Sequence, residues 1–141
     1  MPFASCCARG RDPSASPSAA IGSTPLVRLL PWPPSRVLLF LHGGGYCSGS
    51  IASHRGMVTE VGRTARVRTL AAGYRLAPEH PFPAALEDAL AVYGFLLDQG
   101  IAAERIAIGG DSAGGGLALA AITSLRDAGK PLPGCAWLVS P

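Results

Sequence analysis

The stretch RIAIGGDSAGGGLALA, at residues 105–120, decides how the rest of the chain is interpreted. It begins with a short apolar run typical of a buried strand and ends in an Ala/Leu-rich segment typical of a helix. Between them, residues 110–114 (GDSAG) fit the pattern G-x-S-x-G. A serine at a sharp strand-to-helix turn has an exposed hydroxyl, and the helix N-terminus favours negative charge beside it. We therefore predict that Ser112 is a nucleophile; the alternative is a glycine-rich turn without chemistry.

Short apolar strands alternate with helical segments on both sides of this stretch. Strands are predicted at 36–41, 65–72, 105–109 and 135–139, and helices at 53–65, 83–99 and 113–127. Ser53 is the expected N-cap of the first helix. The order β-α-β-α-β-α-β predicts the α/β class, with a doubly wound, mostly parallel sheet and right-handed crossovers. Residues 1–24 are expected to form a disordered tail, and residues 25–141 a partial domain.

Composition excludes several classes of protein. The 141 residues are 48% hydrophobic and 15% charged, which is too apolar for a disordered chain. No apolar run approaches the ~18 residues of a membrane span. A net charge of +3, with scattered basic residues and few aromatic ones, argues against nucleic-acid binding. The four cysteines have no paired spacing, so a reduced, cytoplasmic protein is expected, and the oligomeric state cannot be read from the sequence.

A second motif, HGGG, occupies residues 42–45, directly after the first predicted strand. Glycines in such a loop let backbone N–H groups approach a substrate oxygen closely. Each such donor contributes roughly 3–4 kcal/mol to lowering the barrier where it has been measured. The motif follows the first predicted strand, and the serine turn follows the third, with two helices between them. This position indicates an oxyanion-binding loop.

Three motifs together resemble the hormone-sensitive-lipase-like esterase branch of the α/β-hydrolases. They are HGGGYCSGS at 42–50, YRLAPEHPFPAALEDA at 74–89 and GDSAGGGLALA at 110–120. The resemblance covers about residues 36–141 and implies a partial α/β-hydrolase fold that needs neither metal nor organic cofactor.

The resemblance also implies a role for individual residues. Ser112 corresponds to the nucleophile, and the amides of Gly44, Gly45 and Ala113 correspond to the oxyanion donors. Supporting motif positions are His42, Gly43, Gly110, Asp111 and Gly114. In this family pattern His42 orients the glycine loop, and Asp111 is not the acid of the catalytic triad. Arg75 and Glu79 are expected to form a partly buried ion pair in the proline-rich loop.

The triad that activates such a serine follows the order Ser, Asp or Glu, His. The 29 residues after Ser112 contain no histidine, and their one acid, Asp127, is expected to be a solvated residue at a helix end. The chain therefore looks C-terminally truncated relative to the family. The last strand is expected to present an unpaired apolar edge.

The leading hypothesis is a serine hydrolase of small carboxylic esters or lactones that acts through an acyl-enzyme. The alternative is an inactive fragment or pseudo-hydrolase that binds a ligand or a partner; a weaker one is a histidine supplied by a partner subunit. His54 and His80 are interpreted as surface or supporting residues. Cys47 is expected to be a small buried side chain. Tyr46 suits either an acyl pocket or simple packing.

Overall fold

A computed structural model of the protein describes residues 36–141; the predicted tail at 1–24 and the segment 25–35 lie outside this part. Strands and helices alternate as the sequence predicts. In chain order they are β1 (Val37–Leu41), α1 (Ile51–Ala65), β2 (Arg68–Ala72), α2 (Ala84–Asp98), β3 (Ile106–Asp111), α3 (Ala113–Asp127) and β4 (Cys135–Val139). A single 3-10 turn precedes β3.

The four strands form one parallel sheet in the order β2-β1-β3-β4. The register aligns the carboxyl ends of the central strands, because Leu41 pairs with Ala72 on one side and with Gly110 on the other. Loops that leave these ends therefore emerge at the same edge of the sheet. The glycine-rich segment after β1 and the serine turn after β3 are brought together in this way.

Helices cover both faces of the sheet, as the predicted doubly wound architecture requires. On one face α2 and α3 bury a core that includes Leu39, Ile108 and Tyr93. On the other face Val58 of α1 packs with Phe40 and Ala71. All five residues of β1 are buried, which explains why the central strand is continuously apolar.

The N-cap of α1 is Ser50, and the prediction of Ser53 is wrong. Ser50 has extended backbone, with φ −170°, and its side chain accepts a hydrogen bond from the Ser53 amide at 3.1 Å. The Ser53 hydroxyl in turn accepts from the Ser50 amide at 3.0 Å. This reciprocal capping box leaves Ser53 in the first turn of the helix, so the helix begins two residues earlier than predicted.

Two strand boundaries also differ from the prediction by more than one residue. The second strand begins at Arg68 and not at residue 65, because Arg66 adopts a left-handed conformation (φ 54°) that ends α1. The third strand continues two residues past the predicted end, since Gly110 and Asp111 pair with β4. Glycine in this strand meets a packing need: a Cβ at Gly109 would lie 2.7 Å from the Trp137 carbonyl oxygen.

The proline-rich loop between β2 and α2 is fixed by an ion pair other than the predicted one. Arg75 pairs with Asp88 at 2.8 Å and with Glu87 at 3.2 Å, both in the first half of α2, and not with Glu79. The Asp88 carboxylate also accepts the Arg75 amide at 2.8 Å. The prediction chose the acid nearest along the loop, whereas the loop folds Arg75 back against the helix that follows.

The strand β4 lies at one end of the four-strand order and pairs only with β3 within residues 36–141. Cys135, Ala136 and Val139 are exposed along it. The described part of the chain thus has the open edge that the sequence predicts.

Candidate active site

Ser112 occupies the single residue between β3 and α3, and its backbone is strained. Its φ of 49° and ψ of −123° lie outside the regions that L-residues favour. The residue is exposed, and α3 begins at the next position. A strained, exposed serine at the positive end of a 15-residue helix is suited to nucleophilic attack at a group that gains negative charge.

Glycine is required on both sides of the serine because other backbone is in the way. A Cβ at Gly110 or at Gly114 would overlap the carbonyl oxygen of Leu41, the last residue of β1. At Gly114 it would also approach the carbonyl oxygen of His42. The elbow therefore lies directly against the start of the loop after β1, which brings Ser112 and the HGGG segment into one site.

Backbone hydrogen bonds hold the elbow in place. The Ser112 amide donates to the Val139 carbonyl oxygen in β4 at 2.8 Å, and the Ser112 carbonyl oxygen accepts from the Gly116 amide at 3.0 Å. With both its backbone groups bonded, the serine is anchored to β4 and to α3. Its side-chain hydroxyl has no hydrogen-bond partner within residues 36–141, so the structure gives it no base there.

The loop after β1 turns sharply through left-handed backbone. Gly44 has φ 126° and Gly45 has φ 63°, and the Gly44 carbonyl oxygen accepts the Ser48 amide at 2.9 Å. A side chain at Gly44 would collide with the backbone of Ser48. In the described part of the chain, residues 36–141, the N–H groups of Gly44, Gly45 and Ala113 therefore have no protein acceptor.

The Gly43 amide is different, because it donates to Asp111 Oδ1 at 2.9 Å. Its N–H is therefore not available to a substrate. The other carboxylate oxygen, Oδ2, lies 3.3 Å from Nε2 of His54, a residue of α1. Asp111, next to the serine, thus links the serine turn to both the glycine loop and α1.

His42 is buried beneath the glycine loop. Its Nδ1 lies 2.9 Å from the Gly43 carbonyl oxygen, and its ring stacks on Tyr74 with centroids 4.3 Å apart. Burial lowers the pKa of His42 below its usual value, and the nearby His54 lowers it further, so the neutral ring is favoured. With Nδ1 acting as the donor, the ring helps to fix the Gly43 peptide.

Tyr74, which follows β2, contacts the start of the glycine loop at His42. Its hydroxyl donates to the His42 carbonyl oxygen at 2.6 Å. Burial raises the pKa of Tyr74 to about 12, so the phenol stays protonated and keeps this bond across the neutral range.

The structure places the two glycine motifs side by side, through the Gly43–Asp111 bond and the close approach of Gly114 to the His42 carbonyl oxygen. It also adds Tyr74, which the sequence analysis did not single out, and it gives His54, expected to be a surface or supporting residue, a partner in Asp111. No local pattern identifies either one, because their partners lie 32 and 57 residues away along the chain. His54 is on the site side of α1, whereas His80 is exposed in the proline-rich loop.

Two residues that follow the glycines, Tyr46 and Cys47, are exposed, although the Tyr46 hydroxyl lies near Gly116 of α3. Cys47 is exposed, with Sγ 3.6 Å from the Gly44 carbonyl oxygen, so the prediction of a buried side chain is wrong. It follows a left-handed residue, Tyr46 (φ 63°), in the turn after the glycines. Tyr46 is 39% exposed, and its carbonyl oxygen accepts the Ala77 amide at 2.8 Å.

Within residues 36–141 there is no group of three or more His, Cys, Asp or Glu side chains placed to bind a metal ion. The helices of this part of the chain are all too short or too polar to cross a membrane.

Comparison with known proteins gives consistent results. A family model described as alpha/beta hydrolase fold matches residues 38–141. An acetyl-hydrolase of Streptomyces hygroscopicus is 54% identical over 106 residues, which are 75% of this chain and 36% of that protein. An esterase of the bacterial hormone-sensitive lipase family superposes with a TM-score of 0.76 at 51% identity, covering 78% of this chain and 37% of that one. The esterase EstE5, in a crystal soaked with p-nitrophenyl butyrate, gives a TM-score of 0.76 at 53% identity over the same shares. The chain thus spans little more than a third of the length of these proteins.

Proposed function

Since the chain belongs to the α/β-hydrolase fold family, we propose that residues 36–141 supply the nucleophile and the oxyanion-binding loop of a carboxylic-ester hydrolase. One observation carries this proposal: a strained, exposed Ser112 sits against a glycine loop with free backbone donors. Relatives of the chain are esterases and acetyl-hydrolases, which supports ester hydrolysis as the reaction class.

In the proposed reaction, Ser112 Oγ attacks the ester carbonyl carbon and its proton passes to a base. The carbonyl oxygen becomes an oxyanion that accepts hydrogen bonds from the amides of Gly44, Gly45 and Ala113. The tetrahedral intermediate collapses, the alcohol leaves with a proton, and an acyl-enzyme remains. Water then attacks the acyl-enzyme and releases the carboxylic acid and free Ser112.

The base and its orienting acid are proposed to come from polypeptide other than these 141 residues. In hydrolases of this fold both follow the serine along the chain. After Ser112 there is no histidine, and Asp127 is an exposed residue at the end of α3 that pairs with Arg126 at 2.8 Å. His42 is buried against Tyr74, and His54 is bonded to Asp111. We therefore expect the 141-residue chain by itself to be inactive.

The proposed substrates are esters or lactones with short to medium acyl chains. The relatives' names point to small acyl groups, since one is an acetyl-hydrolase and another was soaked with a butyrate ester. p-Nitrophenyl butyrate is accordingly the first substrate to use.

A chimera tests the proposal. Residues 36–141 replace the matching segment of the Streptomyces acetyl-hydrolase, whose remaining chain supplies the rest of the fold. We expect the chimera to hydrolyse p-nitrophenyl butyrate within about tenfold of the parent, a barrier change of about 1.4 kcal/mol. A chimera that folds but has no turnover would contradict the proposal. The 141-residue chain, assayed in parallel, is expected to show no turnover above that of its own Ser112→Ala variant.

A further inference from the structure

We propose that His54 is a positioning residue for the oxyanion loop: acting through the Asp111 carboxylate, it holds the Gly43 amide and so sets the direction of the amides that follow. This inference rests on the proposed function for its catalytic meaning. Its structural content is independent of that function and can be measured without any substrate.

The carboxylate of Asp111 has two partners that come from different elements. Oδ1 accepts the Gly43 amide at 2.9 Å, and Oδ2 lies 3.3 Å from His54 Nε2. A carboxylate bonded through only one oxygen can turn about its terminal torsion, whereas one bonded through both cannot. His54 therefore fixes the plane of the group that receives the Gly43 N–H.

His54 is itself held from the opposite side of its ring. Nδ1 lies 2.8 Å from Ser53 Oγ and 3.3 Å from the Ser50 carbonyl oxygen, both in the capping box of α1. The imidazole thus connects a rigid helix end to the serine turn. Its side chain is 19% exposed. The bond to Asp111 is half-buried, whereas the contacts of Nδ1 with the capping serines are exposed.

The bond to Asp111 requires a proton on His54 Nε2, because a carboxylate oxygen only accepts. In the neutral Nε2–H ring, Nδ1 accepts from the Ser53 hydroxyl, whereas in the imidazolium Nδ1–H donates to the Ser53 hydroxyl oxygen or the Ser50 carbonyl oxygen. The imidazolium also donates through Nε2. Only the neutral Nδ1–H form would direct a lone pair at the carboxylate. The titratable groups that face the ring are Asp111 from β3 and His42 from the loop after β1, whose ring centroid is 5.6 Å away.

The bond to Asp111 prevents the Gly43 N–H from donating to a substrate oxygen. Its N–H is committed to Asp111, so the free donors are the amides of Gly44 and Gly45. A Cβ at Gly43 would overlap Asp111 Oδ2, which shows how closely the carboxylate lies against the loop. If the carboxylate moved, the Gly43 peptide would lose its hydrogen bond, and the Gly44 and Gly45 amides would no longer be held in their present direction.

Amide hydrogen exchange of the 141-residue chain, followed by NMR, tests the proposal. The measured quantity is the exchange rate of the Gly43 amide divided by that of the Leu39 amide, which lies in the centre of the sheet. In His54→Ala we expect this ratio to rise at least about tenfold above that of wild type. His54→Gln, which keeps an N–H donor near the Nε2 position, should restore the ratio to within about threefold of wild type. His80→Ala is the matched control, and the exposed His80 should leave the ratio unchanged.

Long-range proton–nitrogen spectra of the imidazole should show that Nε2 of His54 carries a proton. Three results would overturn the proposal: an Nδ1–H tautomer, an unchanged Gly43 ratio in His54→Ala, or equal acceleration of Gly43 and Leu39, which indicates a general loss of stability. Because no ester is involved, these results are separate from those of the chimera's hydrolysis assay.

Discussion

Replacing Ser112 by alanine in the chimera is expected to lower kcat for p-nitrophenyl butyrate by a factor on the order of 10⁶. Without Oγ no acyl-enzyme can form, and the residual rate comes only from water held near the oxyanion donors. Steady-state kinetics measure the effect. KM should change little, because the alanine leaves the backbone amides of the oxyanion site in place.

Ser124→Ala is the matched control for this substitution. Ser124 is in the second half of α3, three turns from the elbow, and carries the same hydroxymethyl side chain. We expect its kcat to remain within about twofold of the unsubstituted chimera, since the half-buried Ser124 lies away from the site and loses only a hydroxyl group. Equal losses in the two variants, or full activity in Ser112→Ala, would show that Ser112 is not the nucleophile.

Gly114→Ala is expected to destabilise the 141-residue chain by about 3 kcal/mol or more. The added methyl group would overlap the carbonyl oxygen of Leu41 and approach that of His42, and both belong to the backbone of the central strand and its loop. Neither atom can move without shifting β1 against β3. Urea unfolding followed by circular dichroism measures the change in the free energy of unfolding.

Gly56→Ala provides the comparison for the same chemical change. Gly56 is in the interior of α1, and a Cβ there would meet nothing within 4 Å. Alanine should therefore raise the free energy of unfolding by about 0.5–1 kcal/mol, the usual helix preference over glycine. If both substitutions were stabilising, the close contact between the serine turn and β1 would be wrong.

The sequence predicts most of this fold because its signals are local and repeated. Short apolar runs that end at glycines alternate with helical periods, and only a parallel, doubly covered sheet accommodates that order. The boundaries are less predictable where a cap decides them. Ser50 and Ser53 are both good N-cap residues, and only the reciprocal hydrogen bonds between them show which one begins α1.

The two motifs of the site are likewise local, so Ser112 and the glycines can be identified from the sequence. The residues that hold these motifs in place cannot be identified in the same way, because each acts through a tertiary contact. Asp111 looks like a spacer in the serine motif, yet its carboxylate joins the loop after β1 to α1. Arg75 shows the same limit: Glu79 is nearer along the chain, but the fold brings Asp88 to it.

The central claim is that Ser112 attacks the substrate carbonyl, and mass spectrometry of the chimera treated with diethyl p-nitrophenyl phosphate tests it most directly. This reagent phosphorylates an activated serine and releases p-nitrophenolate. We expect one diethylphosphoryl group per chimera, on the peptide that contains Ser112, with loss of hydrolysis in proportion. Inhibition with the group on another residue would contradict it, as would hydrolysis that continues after Ser112 is fully modified.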